Sequence, residues 1–117
     1  MLTTAEIQGI VARIVERVRP EQVIMFGSYA KGMARPGSDL DLCVITETLL
    51  PQARRADSLR PLLESYLVPV DLHVHTPEEV RENGKEPHSF LHSVLASGRV
   101  MYSAAGDAVS SSPDERL

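Results

Sequence analysis

The stretch FGSYAKGMARPGSDLDL, residues 26–42, connects two predicted strands through a segment rich in glycine, proline and serine. Residues 23–26 form a short apolar run that predicts a buried strand, and Gly27 ends it. A short helix is predicted to start within residues 29–33, and turn residues follow it. Residues 39–46 then predict a second strand, whose alternate side chains face opposite sides. The stretch therefore predicts a strand, a glycine-serine turn and a second strand in close succession.

Two aspartates lie at the start of the second predicted strand, ten residues after the glycine-serine pair. Side chains two apart in a strand point the same way and stand about 7 Å apart, so Asp39 and Asp41 are predicted to share one face. Such a pair can hold a divalent metal ion, and the Gly27-Ser28 turn can hold a phosphate. The alternative is an ordinary solvent-facing pair beside a common turn. The spacing and the context favour a site for a metal-nucleotide complex.

A third carboxylate is predicted on the polar face of a later strand, over residues 67–75. If this strand lies close to the second one, Asp71 approaches Asp39 and Asp41. Clustered carboxylates repel one another unless cations neutralise them, and magnesium, a hard cation, prefers such oxygen ligands. Two magnesium ions roughly 4 Å apart would clamp the attacking and leaving oxygens of an in-line displacement. Asp71 is also a candidate to accept the proton of the attacking hydroxyl.

Four further residues carry chemistry that the pattern leaves open. Lys31 is either a phosphate-binding point charge or a solvated loop lysine. His73 and His75 share the face of Asp71 and are candidate metal ligands or proton carriers. Half-buried, hydrogen-bonded strand histidines are the favoured interpretation, because imidazole suits zinc better than magnesium. Cys43 lies on the carboxylate face of the second strand and is predicted to be a small buried residue rather than a nucleophile.

The remaining segments predict helices around this site. Thr3 and Glu6 form a capping box, and apolar residues recur at helical spacing until Pro20 ends the helix. Thr76 and Glu79 form a second capping box. Apolar stripes and capping residues predict three more helices, over residues 51–66, 77–83 and 87–97. A short extended segment is predicted after them, over residues 99–102.

Composition limits the class of protein. The 117 residues are enough for one domain, predicted over residues 1–102, with the small and polar residues 103–117 as a disordered tail. A net charge of -4 without a basic tract argues against direct nucleic-acid binding. A single cysteine excludes an internal disulfide and fits a reducing compartment. No apolar run approaches the roughly 20 residues of a membrane span and no signal peptide is evident, so a cytoplasmic protein without membrane association is predicted.

The order of these motifs resembles a known family. A glycine-serine pair, ten residues, an Asp-x-Asp pair and a third aspartate in a later strand resemble the nucleotidyltransferases of the DNA polymerase beta superfamily, above all the minimal nucleotidyltransferase (MNT) group. The resemblance implies an α/β (α+β) fold, a small mixed sheet flanked by helices, and transfer of AMP from ATP with magnesium. Many members carry arginine at the lysine position. The resemblance implies that the catalytic and metal-binding carboxylates are Asp39, Asp41 and Asp71. It also implies that the triphosphate-binding turn is Gly27 and Ser28, with Lys31 beside it.

The resemblance also points to a partner. Small members of the group are similar to antitoxins encoded beside HEPN-domain toxins, which are RNases, and this implies adenylylation of a tyrosine hydroxyl on the toxin. The chain length fits, because little room remains for an acceptor domain. Two alternatives stay open: an antitoxin that occludes its partner without catalysis, and a transferase for a small-molecule hydroxyl. The intact acidic trio disfavours the first, and the short chain disfavours the second.

Overall fold

Four strands form one mixed sheet in the computed structural model, which describes residues 1–66 and 68–105. The strand order is β3-β2-β1-β4, in which β1 runs antiparallel to both β2 and β4 while β2 and β3 run parallel. The predicted mixed sheet with flanking helices is thereby confirmed. The strands are β1 Gln22–Phe26, β2 Leu40–Ile45, β3 Val70–His75 and β4 Arg99–Ser103.

Capping side chains satisfy the first amides of the helices that begin after Thr3, Thr76 and Ser89. The Thr3 hydroxyl accepts from the Glu6 amide at 3.1 Å, and the Glu6 carboxylate accepts from the Thr3 amide at 2.8 Å. The same reciprocal pair joins Thr76 and Glu79, so both predicted capping boxes are confirmed. The helices are α1 Thr4–Val18, α2 Gly27–Ala30, α3 Arg60–Leu63, α4 Pro77–Asn83 and α5 Phe90–Ser97, with a 3-10 turn at Gln52–Arg54.

The sheet is buried on both faces, and β2 shows this most clearly. Leu40, Leu42 and Val44 are fully buried among side chains of α1 and the segment that contains α3. Cys43 and Ile45 point to the opposite face, where α5 covers them. Asp41 shares the face of Cys43 but lies near the start of β2 and is only half-buried, which places the predicted carboxylates at one end of the sheet.

The helix predicted over residues 51–66 is broken into two short pieces, and this prediction is wrong. Pro61 lies in its middle, lacks an amide hydrogen and sits within the first turn of a new helix, α3. The preceding residues form only a 3-10 turn and further turns. Three other elements start later than predicted: β2 begins at Leu40, β3 begins at Val70, after Pro69, and α5 begins at Phe90.

One arginine holds this broken segment to the sheet. The side chain of Arg55 is only 11% exposed. Its guanidinium donates to both carboxylate oxygens of Glu79, at 2.8 and 3.1 Å, and to the Val74 carbonyl at 3.2 Å. Its Nε donates to the Leu50 carbonyl at 2.9 Å. Glu79 therefore caps α4 and anchors the crossover between β2 and β3 at the same time.

We expect the stability of the protein to fall in acid through Glu79. Hydrogen bonds from Arg55, and then from the Thr76 amide, lower the pKa of Glu79 from 4.5 to about 2 against the opposing effect of burial. A folded-state pKa below the unfolded value stabilises the fold above pH 4.5, and this stabilisation is lost as the pH falls towards about 2. Because the side chain is a third exposed, we discount the effect to about 1–2 kcal/mol.

Urea denaturation of Glu79→Gln across this acidic range measures the effect. The variant should be less stable near neutral pH and should lose less stability than the native chain on acidification. Glu78→Gln is the matched control, because Glu78 is exposed in the same helical turn. An unchanged acid profile in Glu79→Gln would show that the ion pair does not contribute.

The last strand also corrects the predicted start of the tail. Ser103, taken as the first tail residue, ends β4, and the Ala104 amide donates to the Glu21 carbonyl at 2.9 Å. Residues 106–117 of the predicted tail lie outside the described residues. Within the described part of the chain, no helix is both long and apolar enough to cross a membrane.

Candidate active site

The glycine-serine pair forms the first residues of α2, directly after β1. Gly27 has a φ of +74°, which glycine adopts without the steric cost that other residues meet. A Cβ atom at this position would lie 3.1 Å from Cγ of Asp41 and closer still to its Oδ2. This contact arises because Phe26, the last residue of β1, pairs with Asp41 in the antiparallel register. The turn and the carboxylate therefore touch across two neighbouring strands.

The three predicted carboxylates come together at one end of the sheet. Asp41 on β2 pairs in register with Asp71 on the parallel strand β3, and Asp39 directly precedes β2. Asp41 is half-buried, whereas Asp39 and Asp71 are exposed. Burial raises the pKa of Asp41, and the charges of Asp71 and Asp39 raise it further, while His73 acts in the opposite direction. After burial, the charges of the two other acids are thus the next causes of the raised pKa of Asp41.

The donor set suits magnesium, although the side chains are not yet arranged around one point. Among residues 1–66 and 68–105, no three His, Cys, Asp or Glu side chains converge into a finished metal site. Instead, Asp71 Oδ2 lies 3.1 Å from His73 Nε2. No described lysine or arginine pairs with Asp39, Asp41 or Asp71. Three hard oxygen donors without a lysine or arginine partner fit a divalent cation, and the 55% exposed Asp71 side chain has room to turn from His73.

A cleft of about 580 Å³ opens beside the turn. Two of its lining residues, Lys31 and Arg35, are exposed and form no ion pair within the described residues. Lys31 and Ser28 therefore line the same cleft. Arg35 was missed by sequence reasoning, although a second basic residue four positions after Lys31 was a usable signal. The cleft is lined by Gly27, Ser28, Lys31, Met33, Ala34 and Arg35.

The neighbouring histidines and the cysteine are held by the scaffold. His73 contacts Asp71, and His75 Nδ1 lies 3.4 Å from Glu79 Oε1. Burial lowers the pKa of His75, against the opposing effect of Glu79. Burial also raises the pKa of the fully buried Cys43 thiol to about 12, which keeps it protonated and unreactive. These positions agree with the favoured structural interpretation of all three residues.

Aromatic rings form a cluster beside Asp71 that the sequence did not reveal. The Phe90 ring lies 5.3 Å from Phe26, 4.9 Å from His73 and 5.9 Å from His75, measured between ring centroids. Phe26 and His73 are 5.4 Å apart. From the sequence, Phe90 was only one apolar residue of a helix.

The comparison with protein families places the chain in a known one. A model of the nucleotidyltransferase domain matches residues 7–97, and the chain belongs to that family. The chain is also 34% identical over 86 residues to a protein named "putative protein adenylyltransferase" from Methanocaldococcus jannaschii, covering 74% of this chain and 82% of that relative. The prediction of a nucleotidyltransferase is confirmed.

Solved structures of low identity share the fold. A "putative nucleotidyltransferase" from Sulfolobus solfataricus aligns with a TM-score of 0.60 at 18% identity, over 85% of this chain and 78% of that one. A toxin-antitoxin structure with AMP-PNP aligns with a TM-score of 0.59 at 20% identity, over 86% of this chain and 76% of that one. This likeness supports the predicted fold, a small mixed sheet flanked by helices that is similar to nucleotidyltransferase structures.

Proposed function

We propose that the protein is a magnesium-dependent nucleotidyltransferase that moves AMP from ATP to a tyrosine hydroxyl of a partner HEPN-type toxin and so acts as its antitoxin. The observation that carries the proposal is the register of Asp41 with Asp71 beside the Gly27 turn. The relative named as a protein adenylyltransferase supports a protein acceptor. The toxin partner follows from the MNT resemblance and agrees with the toxin-antitoxin structure of similar fold.

The nucleotide would occupy the cleft beside α2. Its phosphates would approach the Gly27 backbone closely and accept hydrogen bonds from Ser28. Lys31 and Arg35 would supply positive charge along the same wall. Asp39, Asp41 and Asp71 would hold magnesium, which neutralises the triphosphate and favours the ionised form of an attacking hydroxyl.

The transfer itself is an in-line displacement at the α-phosphorus. The tyrosine oxygen forms a new bond to phosphorus, and the bond from phosphorus to the bridging oxygen of the β-phosphate breaks. Pyrophosphate leaves with that electron pair. The hydroxyl proton passes to the Asp71 carboxylate, which must first turn from His73. Such a reaction draws on cellular ATP, so we place the protein in the cytoplasm. The catalytic domain takes in all four strands of the sheet and therefore extends at least to Ser103.

A binding-only antitoxin is the second candidate. It is favoured by the contact between Asp71 and His73, which occupies the carboxylate that the reaction needs. In that case the chain would neutralise its partner by covering it, and nucleotide would be unnecessary. The two candidates differ in whether the partner is changed covalently.

Intact mass spectrometry of the partner tests the proposal. The chain, the HEPN-type protein encoded beside it, ATP and magnesium should yield partner molecules heavier by one AMP less one water, or by multiples of this mass. Asp71→Asn, or a chelator in place of magnesium, should stop the addition. Glu64→Gln, an exposed carboxylate elsewhere on the surface, is the matched control. A neutralised partner of unchanged mass would favour the binding-only antitoxin.

A further inference from the structure

An exposed aromatic ring stands next to the proposed catalytic carboxylates. Phe90 remains 41% exposed although it contacts three other rings. We use the term aromatic surface for Phe26, His73 and Phe90 together. Aromatic pairs stabilise each other at centroid separations of about 4.5–7 Å, and all three pairs lie in this range. The surface is therefore an ordered platform, and part of its apolar area faces solvent.

The start of its helix fixes the backbone of Phe90, and the neighbouring rings hold its side chain. The Ser89 hydroxyl accepts from the His92 amide at 3.0 Å and donates to the Asn83 carbonyl at 2.6 Å. This cap sets Phe90 as the first residue of α5 and ties it to the end of α4. An exposed phenylalanine held in this way is available to a ligand with little loss of its own conformational freedom.

The aromatic surface and the cleft flank the carboxylates. Phe26 pairs with Asp41 in register, and the next residue, Gly27, begins the wall of the basic cleft. His73 contacts Asp71 on one side and Phe90 on the other. The acids thus have a cationic cleft beside Asp41 and an aromatic surface beside Asp71. Phosphates suit the cationic cleft, and an apolar ring suits the aromatic surface.

We propose that Phe90 is a specificity residue that stacks on the tyrosine ring of the acceptor and leads its hydroxyl towards Asp71. The inference rests on the proposed function and deepens it. Tyrosine combines an apolar ring with a polar tip, which matches a platform of phenylalanine beside a carboxylate. Serine and threonine offer no ring to such a platform. Phe90 would therefore select tyrosine among protein hydroxyls.

Binding of a capped peptide with one central tyrosine tests the inference without requiring transfer. Nuclear magnetic resonance titration of the full chain should show shifts at Phe90 and His73, and a peptide with leucine in place of tyrosine should bind more weakly. Phe90→Leu, which keeps apolar bulk, should weaken tyrosine-peptide binding about fivefold. Phe90→Trp should restore it. Leu95→Ala is the control, because Leu95 is 43% exposed on the same helix.

Three results would overturn the inference. They are no binding of the tyrosine peptide at Phe90, equal affinity in Phe90→Leu, and a loss of ATP affinity rather than peptide affinity, which would assign the ring to the adenine base. Melting temperatures of each variant separate these results from misfolding. A parallel transfer assay keeps the two proposals distinct. If tyrosine binds at Phe90 but the partner never gains AMP, the proposed reaction is wrong and the tyrosine site still stands.

Discussion

Replacing Asp39 and Asp41 by asparagine is expected to lower AMP transfer by roughly 10⁴-fold or more, the scale seen when groups acting as a catalytic unit are removed. Asparagine keeps the shape of each side chain and removes the charge that would hold a divalent cation. The fold should persist, because Asp39 is exposed and Asp41 is half-buried near the start of its strand. Transfer rates and thermal melting of the same preparations measure the two effects separately.

The metal-free double variant should be as stable as the native chain or slightly more stable. The pKa of Asp41 is raised above 3.8 on folding, so its ionised form near neutral pH works against the fold. Removing that charge relieves the penalty. Asp57→Asn is the matched control, since Asp57 is an exposed carboxylate paired with Arg54 at 3.1 Å, and its loss should leave transfer unchanged. Marked unfolding of the double variant would make the aspartates structural instead.

Gly27→Ala is expected to destabilise the protein and to displace the Asp41 carboxylate. An alanine at φ +74° costs roughly 1–2 kcal/mol. Its methyl group would also clash with Asp41, and overpacking of this kind adds about 1–3 kcal/mol. AMP transfer should fall as well as stability, because the methyl group would push the Asp41 carboxylate aside. Urea denaturation and the transfer assay provide the measurements.

Gly32→Ala isolates the effect of the contact. Gly32 has a φ of +70°, yet a Cβ atom there meets nothing within 4 Å, so this variant bears only the backbone cost. Combining Gly27→Ala with Asp41→Ala should recover about 1–2 kcal/mol relative to the sum of the single changes. The remaining Asp41 Cβ lies 3.4 Å away, which is ordinary contact. Strict additivity would mean that the clash is absent.

The local signals in the sequence predicted much of the fold. Capping boxes at Thr3 and Thr76 depend on residues three positions apart, and both helices start there. The alternation around Asp41 and Asp71 likewise fixed which side chains share a face. What the sequence left conditional was the pairing of the two strands, because register between distant segments depends on packing that no local pattern records.

Residues 51–66 show why the rest was missed. Pro61 was a local signal against one continuous helix, and it was overlooked in favour of the apolar stripe. Arg55 offered no such signal, because its partner Glu79 is 24 positions away and becomes a neighbour only after folding. The position of the Phe90 ring likewise had no local signal, because its three aromatic neighbours come from β1 and β3.

The contact between Gly27 and Asp41 also constrains how the site can change during evolution. Loss of the aspartate side chain frees space at position 27, so a descendant that has lost activity can acquire a side chain there. Once it has done so, restoring aspartate at position 41 brings back the clash. Reversion then needs two substitutions in a set order, and the first gives no active enzyme. Inactivation of this nucleotidyltransferase is therefore harder to reverse than to acquire.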